Sequence, residues 1–297
     1  MSFRNRVSLR DSMRGIVEEP LLQLVPKRFD YIGNVAVISI PSELAAYKKV
    51  IASKLFSMRG NTQAVLNKVS KLEGEHRIAD FEVLLGESTE TIHRENGYTY
   101  KLDVKKVFFN PRLYSERKRV ASKIKSGERI IIPFAGVGPF VLPVAGKGAR
   151  VYAIEINPEA CACLKENIRI NRLEEQITVV QEDFENLFRN ENILHTENSL
   201  SAFTNPGKRK DEGIQVPDRG FDRAIVPTPY GMDHFFEKIS KLVRKGGYIH
   251  FYTFKAESQI PGLINEYKKM GFEVELYRRA GNVAPGISRW VFDLIKK

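Results

Sequence analysis

From residue 129 onward, short apolar runs alternate with longer amphipathic ones, and nothing else in the chain limits its fold so tightly. Runs at 129–133, 150–154, 177–181, 222–226, 247–253, 272–278 and 288–294 have the length and apolar content of buried strands. Between them, apolar residues at helical spacing predict helices over 112–124, 138–147, 158–171, 232–244 and 256–270. Such alternation argues for an α/β fold, a twisted and mostly parallel sheet with helices on both faces. The last two strands follow each other with no long helix between, which predicts a hairpin at the edge of a seven-stranded sheet.

The first third has a different rhythm. Residues 31–40 have strand character ended by Pro41, and Leu44, Tyr47, Ile51, Leu55 and Phe56 fall at helical spacing. Short strands are expected at 65–69, 81–85, 90–93 and 98–104, and Asn96-Gly97 is a strong two-residue hairpin signal. The expected organisation is a tail at 1–25, a small α+β domain at 26–107 and the α/β domain at 108–297. Residues 189–220 break the pattern. They are polar, contain Pro206, Gly207, Gly213, Pro217 and Gly220, and carry Lys208-Arg209-Lys210. This stretch reads as a surface insertion, either a tolerated loop or a basic flap against a nucleic acid.

Charge narrows the class of partner. The net charge is +11, and residues 1–125 hold 23 Lys and Arg against 14 Asp and Glu, whereas the other 172 residues hold 24 against 22. An excess of positive charge concentrated in the first two-fifths attracts polyanions, nucleic acid foremost. Hydrophobic residues make up 42% of the chain, which excludes wholesale disorder. No apolar run approaches the roughly 20 residues of a membrane-spanning helix. Cys161 and Cys163 are too few for a disulfide framework or a four-ligand zinc site, and the five histidines lack metal-ligand spacing. A reducing, cytoplasmic setting and no metal are the expectation.

The chemistry should lie at the strand ends. Phe134-Ala135-Gly136-Val137-Gly138-Pro139-Phe140 follows a strand and opens a helix, so Gly136 and Gly138 permit a tight turn and close approach of a ligand to backbone. Glu155, in Ile154-Glu155-Ile156-Asn157-Pro158, ends the next strand, where a carboxylate can accept from both ribose hydroxyls of a nucleoside. One strand later, Glu182 and Asp183 offer an acid for an adenine amino group and Phe184 a ring for its face. Together these residues describe a cradle for an adenosyl ligand. Pro139-Phe140 stands where a dinucleotide needs space for its pyrophosphate, so S-adenosylmethionine fits better than NAD.

The run Phe109-Asn110-Pro111-Arg112-Leu113-Tyr114-Ser115-Glu116-Arg117, with the two motifs just described and Ala284-Pro285-Gly286 near the end, resembles the archaeal and eukaryotic tRNA (guanine-37-N1)-methyltransferases. The likeness spans residues 26–297 and extends to the wybutosine-pathway aminocarboxypropyl transferases. It implies a class I (Rossmann-like) methyltransferase sheet, S-adenosylmethionine as cofactor, and a monomer acting on tRNA. It implies Glu116 as general base for the N1 proton and Arg112 as the stabiliser of O6, and four residues apart on the expected helix the two lie on one face. It implies Arg77 as a substrate contact, and Lys105, Lys106, Arg112, Arg117, Lys118 and Arg119 as phosphate contacts. Arg112 favours the methylating branch. The alternatives are aminocarboxypropyl transfer, a weakened RNA-binding paralogue, or a repurposed relative acting on another RNA or a protein.

Three departures stand out. Pro133 replaces an Asp expected to seat the methionine amino group. Pro227-Thr228-Pro229-Tyr230 replaces Asn-Leu-Pro, removing an acceptor near the target base, although Pro229 and Tyr230 keep a possible stacking ring. The N-terminal module of full-length members is expected to be short or lost.

Overall fold

A computed structural model describes residues 7–70, 79–189, 193–196, 214–217 and 219–297. The chain divides into two compact units, one of Met1–Glu95 with Thr99–Pro111 and one of Asn96–Tyr98 with Arg112–Lys297.

The first unit opens with a short helix α1 (Glu19–Leu22). Its four-stranded sheet has the order β1-β2-β3-β4, from β1 (Asp30–Ile32), β2 (Val35–Ile38), β3 (Ala64–Lys68) and β4 (Phe81–Leu85). The pair β2–β3 is parallel and is joined through α2 (Lys48–Ser57), which buries Ile51, Ala52 and Leu55. A right-handed crossover helix is the ordinary way to join parallel neighbours. Strands β5 (Glu90–Glu95) and β6 (Tyr98–Asp103) form a separate hairpin around Asn96-Gly97, both at positive φ, as the sequence predicts.

Residues 7–25, expected as part of an N-terminal tail, pack one side into the first unit. Leu9, Met13, Val17, Leu22 and Val25 are buried in the core of this unit with Ile38, Leu44, Ile51 and Leu55. The Arg and Ser residues between them mask this apolar series in the sequence.

The second unit begins with α3 (Tyr114–Ser122) and follows the expected alternation: β7 (Arg129–Pro133), α4 (Val141–Ala145), β8 (Arg150–Glu155), α5 (Pro158–Ile170), β9 (Ile177–Gln181) and α6 (Phe184–Arg189). Within the insertion, β10 (Ile193–Thr196) and β11 (Ile214–Pro217) pair in parallel, while Lys208-Arg209-Lys210 lies outside the described residues. Then come β12 (Phe221–Val226), α7 (Phe235–Leu242), β13 (Val243–Lys255), α8 (Ile260–Lys269), β14 (Phe272–Ala284) and β15 (Ile287–Lys296). The sheet order is β14-β15-β13-β12-β7-β8-β9, parallel except for β15, which runs antiparallel to β13 and β14. This is the predicted seven-stranded Rossmann-like sheet with its edge hairpin. An aromatic core of Phe221, Phe235, Phe236, Phe251, Tyr267 and Phe292 packs between the sheet and its helices. No described helix is long and apolar enough to cross a membrane.

Candidate active site

The C-terminal ends of β7, β8 and β9 line one edge of the sheet, where open α/β folds bind ligands. At the end of β7, Phe134 and Gly136 both adopt left-handed φ, +56° and +55°. A side chain on Gly136 would point into open space, so this turn leaves a gap beside the backbone rather than filling it. Gly138 begins the turn into α4, its N–H donating to the Ala135 carbonyl at 3.1 Å. The Asn167 amide donates to the Val137 carbonyl at 3.1 Å and pins the loop from behind.

Glu155 ends β8 facing that gap. The Gly136 N–H donates to its Oε2 at 2.7 Å and the Asn157 N–H to its Oε1 at 2.9 Å. Two backbone donors thus fix the carboxylate plane, while a carboxylate has about four acceptor positions. Asn157 itself is the N-cap of α5, its side chain accepting from Glu159 and Ala160 N–H groups. After β9, Glu182 Oε1 accepts from the Asp183 N–H at 2.8 Å, and Asp183 Oδ1 from the Glu185 N–H at 2.9 Å, at the start of α6. Phe184 is buried against Phe134 and Phe235, with ring centroids 6.0 and 5.5 Å away. Its ring belongs to the wall of the cradle rather than to an open stacking face. These donors and acceptors, the open turn at Gly136 and the oriented Glu155 fit an adenosyl group.

The second half of the site lies on one face of β13, β15 and β14, packed by α3. His250, Tyr252 and Phe254 alternate along β13, and Asp293 pairs with His250 across to β15. Glu116 on α3 is buried, only 2% exposed. Its Oε1 accepts from Arg119 Nε at 2.8 Å, Arg119 Nη2 at 2.6 Å and the Tyr252 hydroxyl at 3.0 Å. Its Oε2 accepts from Arg278 of β14. Burial pushes the Glu116 pKa up, but hydrogen bonds and charge from Arg119 and Arg278 outweigh it and hold the carboxyl below its usual range.

Arg119 carries the contact onward. It donates to both oxygens of Asp293, at 2.5 and 3.0 Å, and Lys123 Nζ adds a bond at 2.8 Å. Asp293 is 0% exposed and is also 2.6 Å from His250 Nδ1. His250 Nε2 lies 2.8 Å from Arg223 Nη1, and Arg223 closes on Glu128 at 2.9 and 3.0 Å. Arginine is always a donor, so Nε2 is the acceptor and Nδ1–H donates to Asp293: His250 is neutral.

Acid stability follows from this arrangement. Burial depresses the His250 pKa below its usual 6.5 despite the pull of Asp293. The unfolded chain therefore binds the proton more readily than the folded one, and stability is fully present above about pH 6.5 and lost progressively as pH falls below it through the depressed folded-state value. Urea midpoints at pH 7.5 and 5.5 should differ, the acidic one lower. His250→Gln should flatten that difference while lowering both midpoints; an unchanged slope in the variant removes His250 as its source.

The structure corrects two features of the sequence reading. Arg112 sits in a 3-10 turn, Pro111–Leu113, ahead of α3, so it and Glu116 do not share a helical face. Arg112 is exposed and is not among the partners of Glu116. Arg117 is 2% exposed and Arg119 is committed to two carboxylates, so neither is a surface phosphate contact, whereas Lys118 remains exposed. Arg77 lies outside the described residues. Pro133 ends β7 buried and offers no side-chain acceptor. Thr228 is tucked under its own turn, and Tyr230, 57% exposed, rests against Phe254 at 5.3 Å with Arg289 over the same ring at 4.9 Å. The Pro229 carbonyl accepts from the Met232 N–H at 3.2 Å. Burial pushes the Cys161 thiol up to about 12, which leaves it unreactive. Among the described residues no group of three or more His, Cys, Asp and Glu is arranged to hold a metal.

Asp293, Tyr252 and Arg278 escaped the sequence reading, and Arg119 entered it only as a phosphate contact. Their one visible signal is a pair of ionisable residues, His250 and Asp293, set in otherwise apolar strands.

Residues 91–197 match the TRM5/TYW2 methyltransferase domain and residues 9–89 the TYW2 N-terminal domain. The chain is 37% identical over 285 residues to the tRNA (guanine(37)-N(1))-methyltransferase Trm5b of Pyrococcus abyssi, covering 93% of this chain and 77% of that protein. It belongs to the TRM5/TYW2 family. Across the family it is also 32% identical to the tRNA(Phe) (4-demethylwyosine(37)-C(7)) aminocarboxypropyltransferase of Pyrococcus horikoshii, over 96% of this chain and 95% of that one. Two solved TRM5/TYW2 structures share the fold. The complex of aTrm5 with tRNALeu superposes with a TM-score of 0.80 at 27% identity, covering 98% of this chain and 79% of that one. P. horikoshii TYW2 in complex with MeSAdo gives 0.71 at 28% identity, covering 97% of each.

Proposed function

We propose that this protein is an S-adenosylmethionine-dependent tRNA methyltransferase that forms N1-methylguanosine at position 37. One observation carries the reading. The ring of Phe140, at the end of the glycine turn, lies 5.4 Å from Tyr252, whose hydroxyl donates to Glu116. The adenosyl cradle and the buried carboxylate are thus two contacts apart.

S-adenosylmethionine, when bound, supplies a methyl group already activated by its sulfonium. Gly136, Gly138, Glu155, Asn157, Glu182 and Asp183, with the Phe134 and Phe184 wall, are the residues that would hold it. Guanine N1 carries a proton and is a poor nucleophile until it is removed. Glu116 is the base in this reading, Arg112 meets the charge on O6, and Tyr230 with Pro229 borders the target base. The base has to leave its stack, at a cost of a few kcal/mol. Relatives named for tRNA position 37 and the positive charge of the first two-fifths of the chain support tRNA as substrate. A monomer working in the cytoplasm belongs to the same reading.

Transfer of an aminocarboxypropyl group is the second reading, favoured by the match of residues 9–89 to the TYW2 N-terminal domain. Incubation with labelled donor of unmodified tRNA and of tRNA carrying 4-demethylwyosine at position 37, followed by nucleoside mass spectrometry, separates the two by product mass. N1-methylguanosine is the expected product. For the cradle, Glu155→Ala should weaken donor binding roughly 10- to 100-fold by calorimetry; unchanged affinity takes Glu155 out of the site.

A further inference from the structure

The two oxygens of Glu116 differ in how firmly they are held. Oε1 takes three hydrogen bonds, from Arg119 and Tyr252. Arg119 is itself anchored on fully buried Asp293, so that side of the carboxylate is fixed. Oε2 is held by Arg278 alone among the described residues. The Arg278 side chain is 43% exposed while that of Glu116 is 3% exposed, so the one partner of Oε2 is itself open to solvent.

Arg278 also sits on an irregular edge strand. Strand β14 is the sheet edge, bonded only to β15, and its register shifts between Val274 and Leu276 and again between Arg279 and Gly281, on either side of Arg278. Bulges interrupt the ladder and loosen an edge. The other charged or titratable groups around the carboxylate are Arg119 on α3, Tyr252 on β13 and Asp293 on β15, with Arg289 interacting with both Tyr252 and Arg117. Each of the first three is buried or doubly bonded, so Arg278 is the one partner free to leave.

A base needs an oxygen that its substrate can reach, and both oxygens of Glu116 are covered here. We infer that Oε2 is the oxygen that takes the N1 proton, and that Arg278 masks it in the free protein and is drawn off by an RNA phosphate when tRNA docks. The inference rests on the role of Glu116 proposed above. Breaking a buried ion pair without a substitute is costly. A polyanionic substrate supplies the substitute at the moment the base is needed. In the step itself the proton passes from N1 to Oε2, and Glu116 becomes a neutral acid still held through Oε1.

The test is carbon-13 NMR of protein labelled at glutamate carboxyls, with the Glu116 signal identified by its loss in E116Q or, should that variant misfold, its displacement in E116D. In R278Q the signal should titrate at higher pH than in wild type. An unmodified tRNA transcript should move the wild-type titration upward and leave that of R278Q where it is, with R278K behaving as wild type. The salt dependence of tRNA affinity should be shallower by about one unit of slope in R278Q. A wild-type signal unmoved by tRNA, or an R278Q signal titrating with wild type, overturns the inference. Signals that move as expected in a protein yielding no N1-methylguanosine overturn the function reading instead.

Discussion

Replacing Glu116 by glutamine should lower single-turnover methylation of tRNA by about 10²- to 10⁴-fold, the usual worth of a positioned general base. The amide keeps the volume of the carboxylate and can still accept from Tyr252 and Arg119 at its oxygen. Its NH₂ group then faces Arg278, donor against donor, and the exposed arginine can swing away. The fold therefore survives while the proton acceptor is lost. Donor affinity should stay within about threefold, because Gly136 and Glu155 stand on other loops. A structural role for Glu116 predicts a different pattern, a lower melting temperature with a proportionate loss of both binding and rate. The residual rate of E116Q should climb with pH in the alkaline range, since hydroxide then removes the N1 proton. A variant with wild-type rate at neutral pH takes Glu116 out of the reaction.

How far the sequence reaches depends on whether a feature is local. The strands of the large sheet are local, because Ile130, Ile131 and Ile132, or Ala224, Ile225 and Val226, are buried on both faces and leave an uninterrupted apolar run. The Gly136 turn and Glu155 are legible for the same reason, being tied to strand ends by short spacing. The charged network is not. Arg119 and Asp293 are 174 residues apart and meet only because β15 returns antiparallel beside β13. Arg112 and Glu116 mislead in the opposite direction. Their spacing is helical, but Pro111 opens a 3-10 turn and α3 starts at Tyr114. Leu9, Met13 and Val17 were hidden by composition, with Arg and Ser on every side.

The largest stability effect is expected at Asp293. Its carboxylate is fully buried and serves Arg119, Lys123 and His250, and this company holds its pKa far below the usual range even though burial pushes the other way. Asp293→Asn removes the negative charge and sets an NH₂ group against one of three donors. Arg119 keeps Glu116 and Lys123 keeps Glu275, but the donor set against the NH₂ group loses its buried acceptor. Leaving a buried donor without its acceptor costs about 1–3 kcal/mol. Total stabilities are of order 5–15 kcal/mol, so the urea midpoint should fall by roughly a tenth to a half. Adding Arg119→Met should return some of the loss, because an apolar side chain needs no acceptor. Activity should not return with it, since Oε1 of Glu116 would then keep only Tyr252. A double variant no more stable than Asp293→Asn alone would mean that packing around β15, not charge balance, sets the cost. A double variant that regains activity would separate the network from the positioning of Glu116.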